Sequence, residues 1–378
     1  MPGIGAYALA GGVAGGVTLV TTPLVRRVAI WRGWVVPPDE RRVHVRPTPA
    51  IGGVAMFLGL LAGVAVAWRQ PALRPVFASS EMLGVVIAAA VIFLVGLIDD
   101  LHPISPPAKV AGLVVAGIVL SAAGATMQFF RLPFLGYVTL GADFVPLVTV
   151  LWLLIMSNAI NLIDGLDGLA AGIVAIAAGT FFLYGHRLDT QGFLNLASAG
   201  PGGSANIGPL VAIIVLGICL GFLPHNFNPA RIFMGDSGAL MLGGLMAVAT
   251  GVVGGRVEEP FSGRTYFFFA PLFIPLVILG VPLLDSVFAI VRRATRRRSL
   301  STADKDHLHH RLMRLGHGQR RSVLILWLWT AILSGLVLYP TYTGEGNGLV
   351  PFGIAALVLG LYTVLHPQLR RQREEPLA

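Results

Sequence analysis

The chain has 378 residues, of which 55% are hydrophobic and only 12% charged. A soluble domain carries about 25% charged residues. These residues cannot clothe a soluble globule, so much of the chain must be solvated by lipid. In that setting the net charge of +9 reads as loop arginines flanking membrane spans, not as the footprint of nucleic acid or an acidic partner. The single cysteine, Cys219, lies in an apolar run and excludes an internal disulfide.

Charge-free intervals predict an all-α, polytopic membrane protein with eleven spans: 5–25, 51–67, 82–98, 110–127, 144–159, 169–185, 207–223, 238–254, 267–290, 322–338 and 349–365. Each is near the roughly 17–25 residues that cross a hydrocarbon core. The first lacks a charged start and is followed by Arg26 and Arg27, so it reads as a retained helix and not a cleaved signal. Its GGVAGGV segment has no strand context and reads as helix packing, not as a dinucleotide fingerprint. The chain is expected to form one membrane-embedded domain, 1–378, with a basic, histidine-bearing loop at 292–321 and a tail at 367–378.

Alternate loops divide the Lys and Arg residues 21 to 6. The basic side is expected to be cytoplasmic. Eleven spans then put the N-terminus outside and the C-terminus inside.

The chemistry-bearing motifs all fall on the basic side. Asp99 and Asp100 end the third span in GLIDDLHPIS. Adjacent carboxylates at a membrane boundary need water, a basic partner or a cation. They read as a solvated helix end or as a cation-binding pair. In SNAINLIDGLDGLAAG, Asn158, Asn161, Asp164 and Asp167 recur every three residues, which directs them roughly one way on a helix or tight turn. In PHNFNPARIFMGDSG, Asn226, Asn228, Arg231 and Asp236 precede the eighth span. Asp236, among small neighbours at a helix start, reads as a helix cap, or as a hard oxygen ligand for Mg²⁺ beside backbone N–H groups free for phosphate.

His307, His309 and His310 lie in DKDHLHHRL. A structural zinc site asks for four ligands, commonly with cysteine, and none is available on this side. Histidines among arginines suit anionic phosphate better. Arg46 opens the segment RPTPAIGG, a rigid basic entry to the second span that suits lipid headgroups or substrate phosphate. The opposite loops hold nothing comparable, and the span interiors are nearly free of charge. A transporter is expected to carry polar residues near span midpoints in broken helices. The one-sided cluster therefore favours a catalytic surface.

GLIDD, NAINLIDGLDGLAAG, NPARIFMGDSG and DKDHLHHRL, in that order, resemble the polyprenyl-phosphate N-acetylhexosamine-1-phosphate transferases of glycosyltransferase family 4. The resemblance runs from about Arg46 to Arg321. GDSG and the histidines interrupted by Leu308 resemble the N-acetylglucosamine branch more than the phospho-N-acetylmuramoyl-pentapeptide branch, which usually has three consecutive histidines. The residue often found as Lys before the second span is Arg46 here.

The resemblance implies that a membrane polyprenyl (undecaprenyl or decaprenyl) phosphate attacks the β-phosphate of UDP-N-acetylglucosamine. The products would be polyprenyl-diphospho-N-acetylglucosamine and UMP, as the first membrane step of cell-envelope polysaccharide synthesis in a bacterial inner membrane. The implied cofactor is Mg²⁺, with Mn²⁺ as an alternative. The implied partners are UDP-N-acetylglucosamine, polyprenyl phosphate and the lipid bilayer, with no nucleic acid and with a homodimer left open. The implied catalytic residues are Asp99, Asp100 and Asp236. Asp236 would hold the metal, with Asp99 and Asp100 as further ligands in prospect. Asn161, Asp164, Asp167, Asn226, Phe233, His307, His309, His310 and Arg46 would bind substrate. The muramoyl-pentapeptide transfer, a lipid-linked sugar transporter or flippase, and an inactive scaffold are the rival readings.

The charge division yields a topological prediction. An impermeant thiol reagent applied to intact cells should leave cysteines introduced beside Asp100, Asp167, Asp236 and His309 unmodified. Modification at any of the four overturns the orientation.

Overall fold

The computed structural model describes residues 2–35, 47–132, 136–190, 205–254, 280, 312–313, 315–344 and 346–374. The helices are α1 (Ile4–Arg32), α2 (Gly53–Arg69), α3 (Glu81–Leu101), α4 (Pro106–Ala122), α5 (Phe144–Ile163), α6 (Leu169–Thr190), α7 (Gly208–Asn226), α8 (Gly235–Gly254), α9 (Gln319–Thr343) and α10 (Leu349–Glu374). Among the described residues seven helices are long and apolar enough to cross a membrane: α1, α3, α5, α6, α7, α8 and α9. A multi-pass membrane protein follows. Helix α2 continues into a 3-10 turn, Pro71–Phe77, across a bend of 111°, while α4 and the apolar part of α10 are shorter. Ten predicted spans fall on these helices. The remaining one, 267–290, lies outside the described residues save Gly280, as do Arg46, His307, His309 and His310.

One predicted boundary is corrected. The fourth span was expected over 110–127, but α4 runs from Pro106 to Ala122. Two prolines at its start suit the first helical positions, where N–H groups have no intrahelical partner anyway. Gly124, at φ +87°, turns the chain out of the helix. A short antiparallel hairpin follows, with β1 (Phe129–Leu132) and β2 (Gly136–Thr139) pairing Phe129 with Thr139. It is the one pair of strands among the described residues, which are otherwise mainly helical.

Helix α8 is the axis of the bundle. Its spanning stretch is 94% buried, against 28% for that of α1. It packs on α3, α5 and α7 and touches α2. A helix that is apolar all round is one surrounded by protein. By contrast, Leu83, Ile87, Leu94 and Ile98 form an exposed stripe along α3, and Phe144, Leu147, Leu151 and Ile155 another along α5. These stripes face lipid.

Gly11 and Gly15 of the N-terminal segment pack against α7, as expected. A methyl group on Gly15 would come 2.7 Å from the Gly217 carbonyl oxygen of α7, whereas Gly12 and Gly16 face open space. Without a hydrophobic drive between helices in lipid, such close backbone approach is what joins α1 to α7.

From α1 to α8 consecutive helices alternate in direction. Gln70 at the end of α2 donates to Ala6 O of α1, 3.1 Å, and Ser80 before α3 donates to Ala123 O after α4, 3.0 Å. Asn206 before α7 donates to Val252 O of α8, 3.1 Å. Those termini share one end. The end of α3, the α5–α6 turn and the α7–α8 loop therefore meet at the other end, which is where the acidic motifs lie.

Candidate active site

The site is assembled on the first turn of α8. Like any helix, α8 begins with backbone N–H groups that lack an intrahelical acceptor. Asp100, from the end of α3, supplies the acceptors. Its Oδ1 accepts from Asp236 N–H at 2.8 Å, and its Oδ2 accepts from Ser237 N–H at 3.0 Å and from Ser237 Oγ–H at 2.6 Å. An N-cap residue normally does this from its own chain position; here a neighbouring helix does it. Those N–H groups are therefore engaged by a carboxylate, and the expectation that they stand free for phosphate is corrected.

The fit requires small residues. Gly235 adopts φ +70°, and a side chain there would strike Ala50 O and Asp100 Oδ2. A side chain on Gly96 of α3 would strike the backbone of Ser237, and one on Gly53 of α2 would strike Gly238 N. The entry to α2 is tied to the same loop by Gly52 N–H to Phe233 O and Gly53 N–H to Met234 O, each 2.9 Å, and by Phe233 N–H to Pro49 O, 2.8 Å. Phe233 is thus held by its backbone beside Asp236, half-buried.

Asp236 and Asp99 face a shared cation. Lys109, in the first turn of α4, places its Nζ 2.6 Å from Asp99 Oδ2 and 2.6 Å from Asp236 Oδ2. Asp99 is further fixed by Ile104 N–H, which donates to its Oδ1 at 2.9 Å. The ammonium sits between the two carboxylates. Its two neighbours are carboxylate oxygens, both partly exposed, a donor set that suits Mg²⁺, which is usually held by one or two carboxylates plus substrate phosphates. Among the described residues no group of three or more His, Cys, Asp or Glu converges as a ready-made metal cage. The protein's own share of such a site is Asp99 and Asp236.

The other predicted residues divide into two kinds. Asp167 and Asn226 are buried and engaged. Asp167 Oδ2 accepts from Asn228 Nδ2–H at 2.9 Å and from Ala230 N–H at 3.0 Å. Asn226 accepts from Gly168 N–H at 3.0 Å and donates to Ile232 O at 3.0 Å, which ties the α5–α6 turn to the α7–α8 loop. Both are placed as organisers of the site's walls.

Asn161 and Asp164 are half-buried, and no side-chain partner for either occurs among the described residues. Asp164 caps α5 in a crowded acidic setting. Burial, and then the charges of Asp236, Asp100 and Asp167, push its carboxyl up to about 8.

Two participants were given no place in the site from the sequence. Lys109 entered only as one of the loop cations, although it is one of two lysines in a chain whose other basic residues are arginines. Asn228 is the second: besides Asp167 it binds Gln319 Oε1 at 2.8 Å and accepts from Arg320 Nε–H at 3.1 Å, which links the site loop to the start of α9. Its position in the NFNPAR motif was a signal for it.

Fold and site together define a polytopic membrane protein with an acidic, cation-holding face at one end of its helices. The sequence profile described as glycosyl transferase family 4 matches residues 82–253, which includes α3 to α8 and hence every described acid of the site. The chain is 37% identical over 371 residues to the decaprenyl-phosphate N-acetylglucosaminephosphotransferase of Mycolicibacterium smegmatis, covering 96% of this chain and 89% of that protein. It is 39% identical over 371 residues to the protein of the same name from Mycobacterium leprae, covering 97% and 91%. Identity to the phospho-N-acetylmuramoyl-pentapeptide-transferase of Mycobacterium sp. strain JLS is 31% over 372 residues, covering 87% and 94%. The chain belongs to glycosyl transferase family 4.

Asp164 gives a prediction with a definite sign. In an unfolded chain a carboxyl of this kind ionises near ~3.9, whereas in the folded, cation-free protein this one keeps its proton up to about 8. As pH rises between those limits the unfolded state loses the proton first, so stability falls. Asparagine carries no such proton. In a chelating buffer, Asp164→Asn should melt near the wild-type temperature at about pH 4, above it by a margin that widens toward about pH 8, and with a constant margin beyond. A margin that stays flat or shrinks with rising pH contradicts the assignment.

Proposed function

We propose that this chain transfers N-acetylglucosamine 1-phosphate from UDP-N-acetylglucosamine to a membrane polyprenyl phosphate. A bond forms between an oxygen of the lipid phosphate and the β-phosphorus of the donor. The bond from that phosphorus to the bridging oxygen breaks, and UMP leaves. The observation that carries the reading is the convergence of Asp99 and Asp236 on one cation at the ends of apolar helices, where a lipid-borne phosphate and a water-soluble nucleotide can meet. The names of the more similar relatives support N-acetylglucosamine over the muramoyl-pentapeptide donor.

Both reactants are anions, so their approach requires positive charge. Asp236 and Asp99 would hold Mg²⁺, or Mn²⁺ in its place, and the metal when bound would offset the charge of the donor diphosphate. Asp99 orients the acceptor side of the site and need not act as a strong base, because a phosphate monoester has already lost its second proton above about pH 6. Asp164 keeps its proton near neutrality and can donate a hydrogen bond to a donor oxygen, with Asn161 beside it. The acidic end would face the cytosol, where nucleotide sugars are made, with the N-terminus on the other side.

The test is UMP release by purified protein given polyprenyl phosphate, Mg²⁺ and a panel of UDP-sugars. UDP-N-acetylglucosamine should be used. Asp236→Asn, which keeps the shape and loses the charge, should reduce turnover by about 100-fold or more, poorly rescued by added Mg²⁺. Turnover of the muramoyl-pentapeptide donor alone would move the chain to the other branch. Full activity of Asp236→Asn across a Mg²⁺ titration would remove Asp236 from the metal.

A further inference from the structure

The ion pairs between side chains of the described residues are both made by one ammonium. Lys109 Nζ touches Asp99 Oδ2 and Asp236 Oδ2, each at 2.6 Å, and these are the oxygens a divalent cation would take. A divalent ion seated between those two oxygens at roughly 2.0–2.1 Å from each would fill the place of the ammonium, so the two cannot occupy it together. At that position they alternate.

The surroundings allow alternation. The Lys109 side chain is 27% exposed, springs from the first turn of α4, and ends in a compact, strongly hydrated charge on a flexible stem. Rotation of that stem carries the head into water. The other cations here are held differently: Arg26 Nε–H donates to Arg231 O at 3.0 Å, and Arg320 Nε–H to Asn228 Oδ1 at 3.1 Å. Neither touches the paired carboxylates. Without the ammonium, Asp99 and Asp236 would face each other with Asp100 and Asp164 close by and no ion-pair partner among the described residues, an arrangement that opposes folding or forces protonation.

We propose that Lys109 is a tethered counter-ion. It holds Asp99 and Asp236 together while the metal is absent and yields both carboxylates when a divalent cation binds. Its freed ammonium then faces the phosphates that arrive with that cation. The first half rests on the distances alone; the second rests on the transfer reaction proposed above.

Mn²⁺ binding to the full-length protein in detergent, without donor or acceptor, tests the first half by electron paramagnetic resonance. Lys109→Met keeps the length of the stem and removes the charge. It should bind Mn²⁺ roughly tenfold tighter than wild type, the scale of a partly exposed ion pair that no longer has to open. It should also melt lower than wild type in chelator and recover on adding Mg²⁺. Wild type alone gives a second reading, because Lys109 and Lys305 are the only lysines. Labelled with ¹³C at Cε, they give two signals, and Mg²⁺ should shift the one that survives in Lys305→Arg. Unchanged or weaker Mn²⁺ binding by Lys109→Met, no Mn²⁺ binding by either protein, or a Lys109 signal indifferent to Mg²⁺ overturns the proposal. Mn²⁺ binding and a shifted Lys109 signal in a protein that releases no UMP would sink the proposed reaction and leave the counter-ion role standing.

Discussion

The acidic end depends on one interaction: the Asp100 carboxylate closing on the first turn of α8. Three donors, from Asp236 and Ser237, converge on its two oxygens. That contact fixes where α8 starts and how far it rises toward the surface. It therefore fixes Asp236, the second residue of the helix, against Asp99 and Lys109. Because α8 is almost wholly enclosed, its start cannot shift without disturbing α2, α3, α5 and α7. The glycines at 53, 96 and 235 are the space this contact needs, and at each of them an added side chain meets backbone or the Asp100 carboxylate itself.

Seen this way, the carboxylates of the site do different work despite their similar look in sequence. Asp100 and Asp167 are engaged by donors from neighbouring segments and shape the walls. Asp99 and Asp236 share Lys109. Asp164 is left in their field with no close partner among the described residues and keeps its proton to an unusually high pH. Like charges this close repel, so they persist together only because hydrogen bonds, a lysine and a retained proton each absorb part of the charge.

Much of this was legible in the sequence for physical reasons. Membrane spans announce themselves because lipid admits few charges, and helices α1 to α10 fall on predicted spans. The collection of acids and amides on one face followed from the positions of the loops alone. What could not be read was direction. Asp99 and Asp100 are neighbours about 100° apart around a helix. Only the position of α8 decides that one turns to its N-terminus and the other to Lys109. Nor could the partners of Asn226 be read, which tie the α5–α6 turn to the α7–α8 loop through Gly168 N–H and Ile232 O. Lys109 belongs to no acidic motif, and its role comes from α4 folding back beside α3. The end of α4 was misjudged because apolar residues continue past Gly124, where the backbone, not the hydropathy, stops the helix.

The structural role of Asp100 is to build the site by capping the first turn of α8. The most direct test is the melting temperature of Asp100→Asn in detergent, without cation or substrates. Asparagine keeps one oxygen acceptor but turns an amide N–H₂ toward groups that are themselves donors, so part of the cap is lost while size is kept. The melting temperature should fall by roughly 2 °C or more, as expected for loss of a helix cap. An unchanged melting temperature in a variant that has lost activity would contradict it, and would place Asp100 in the reaction itself.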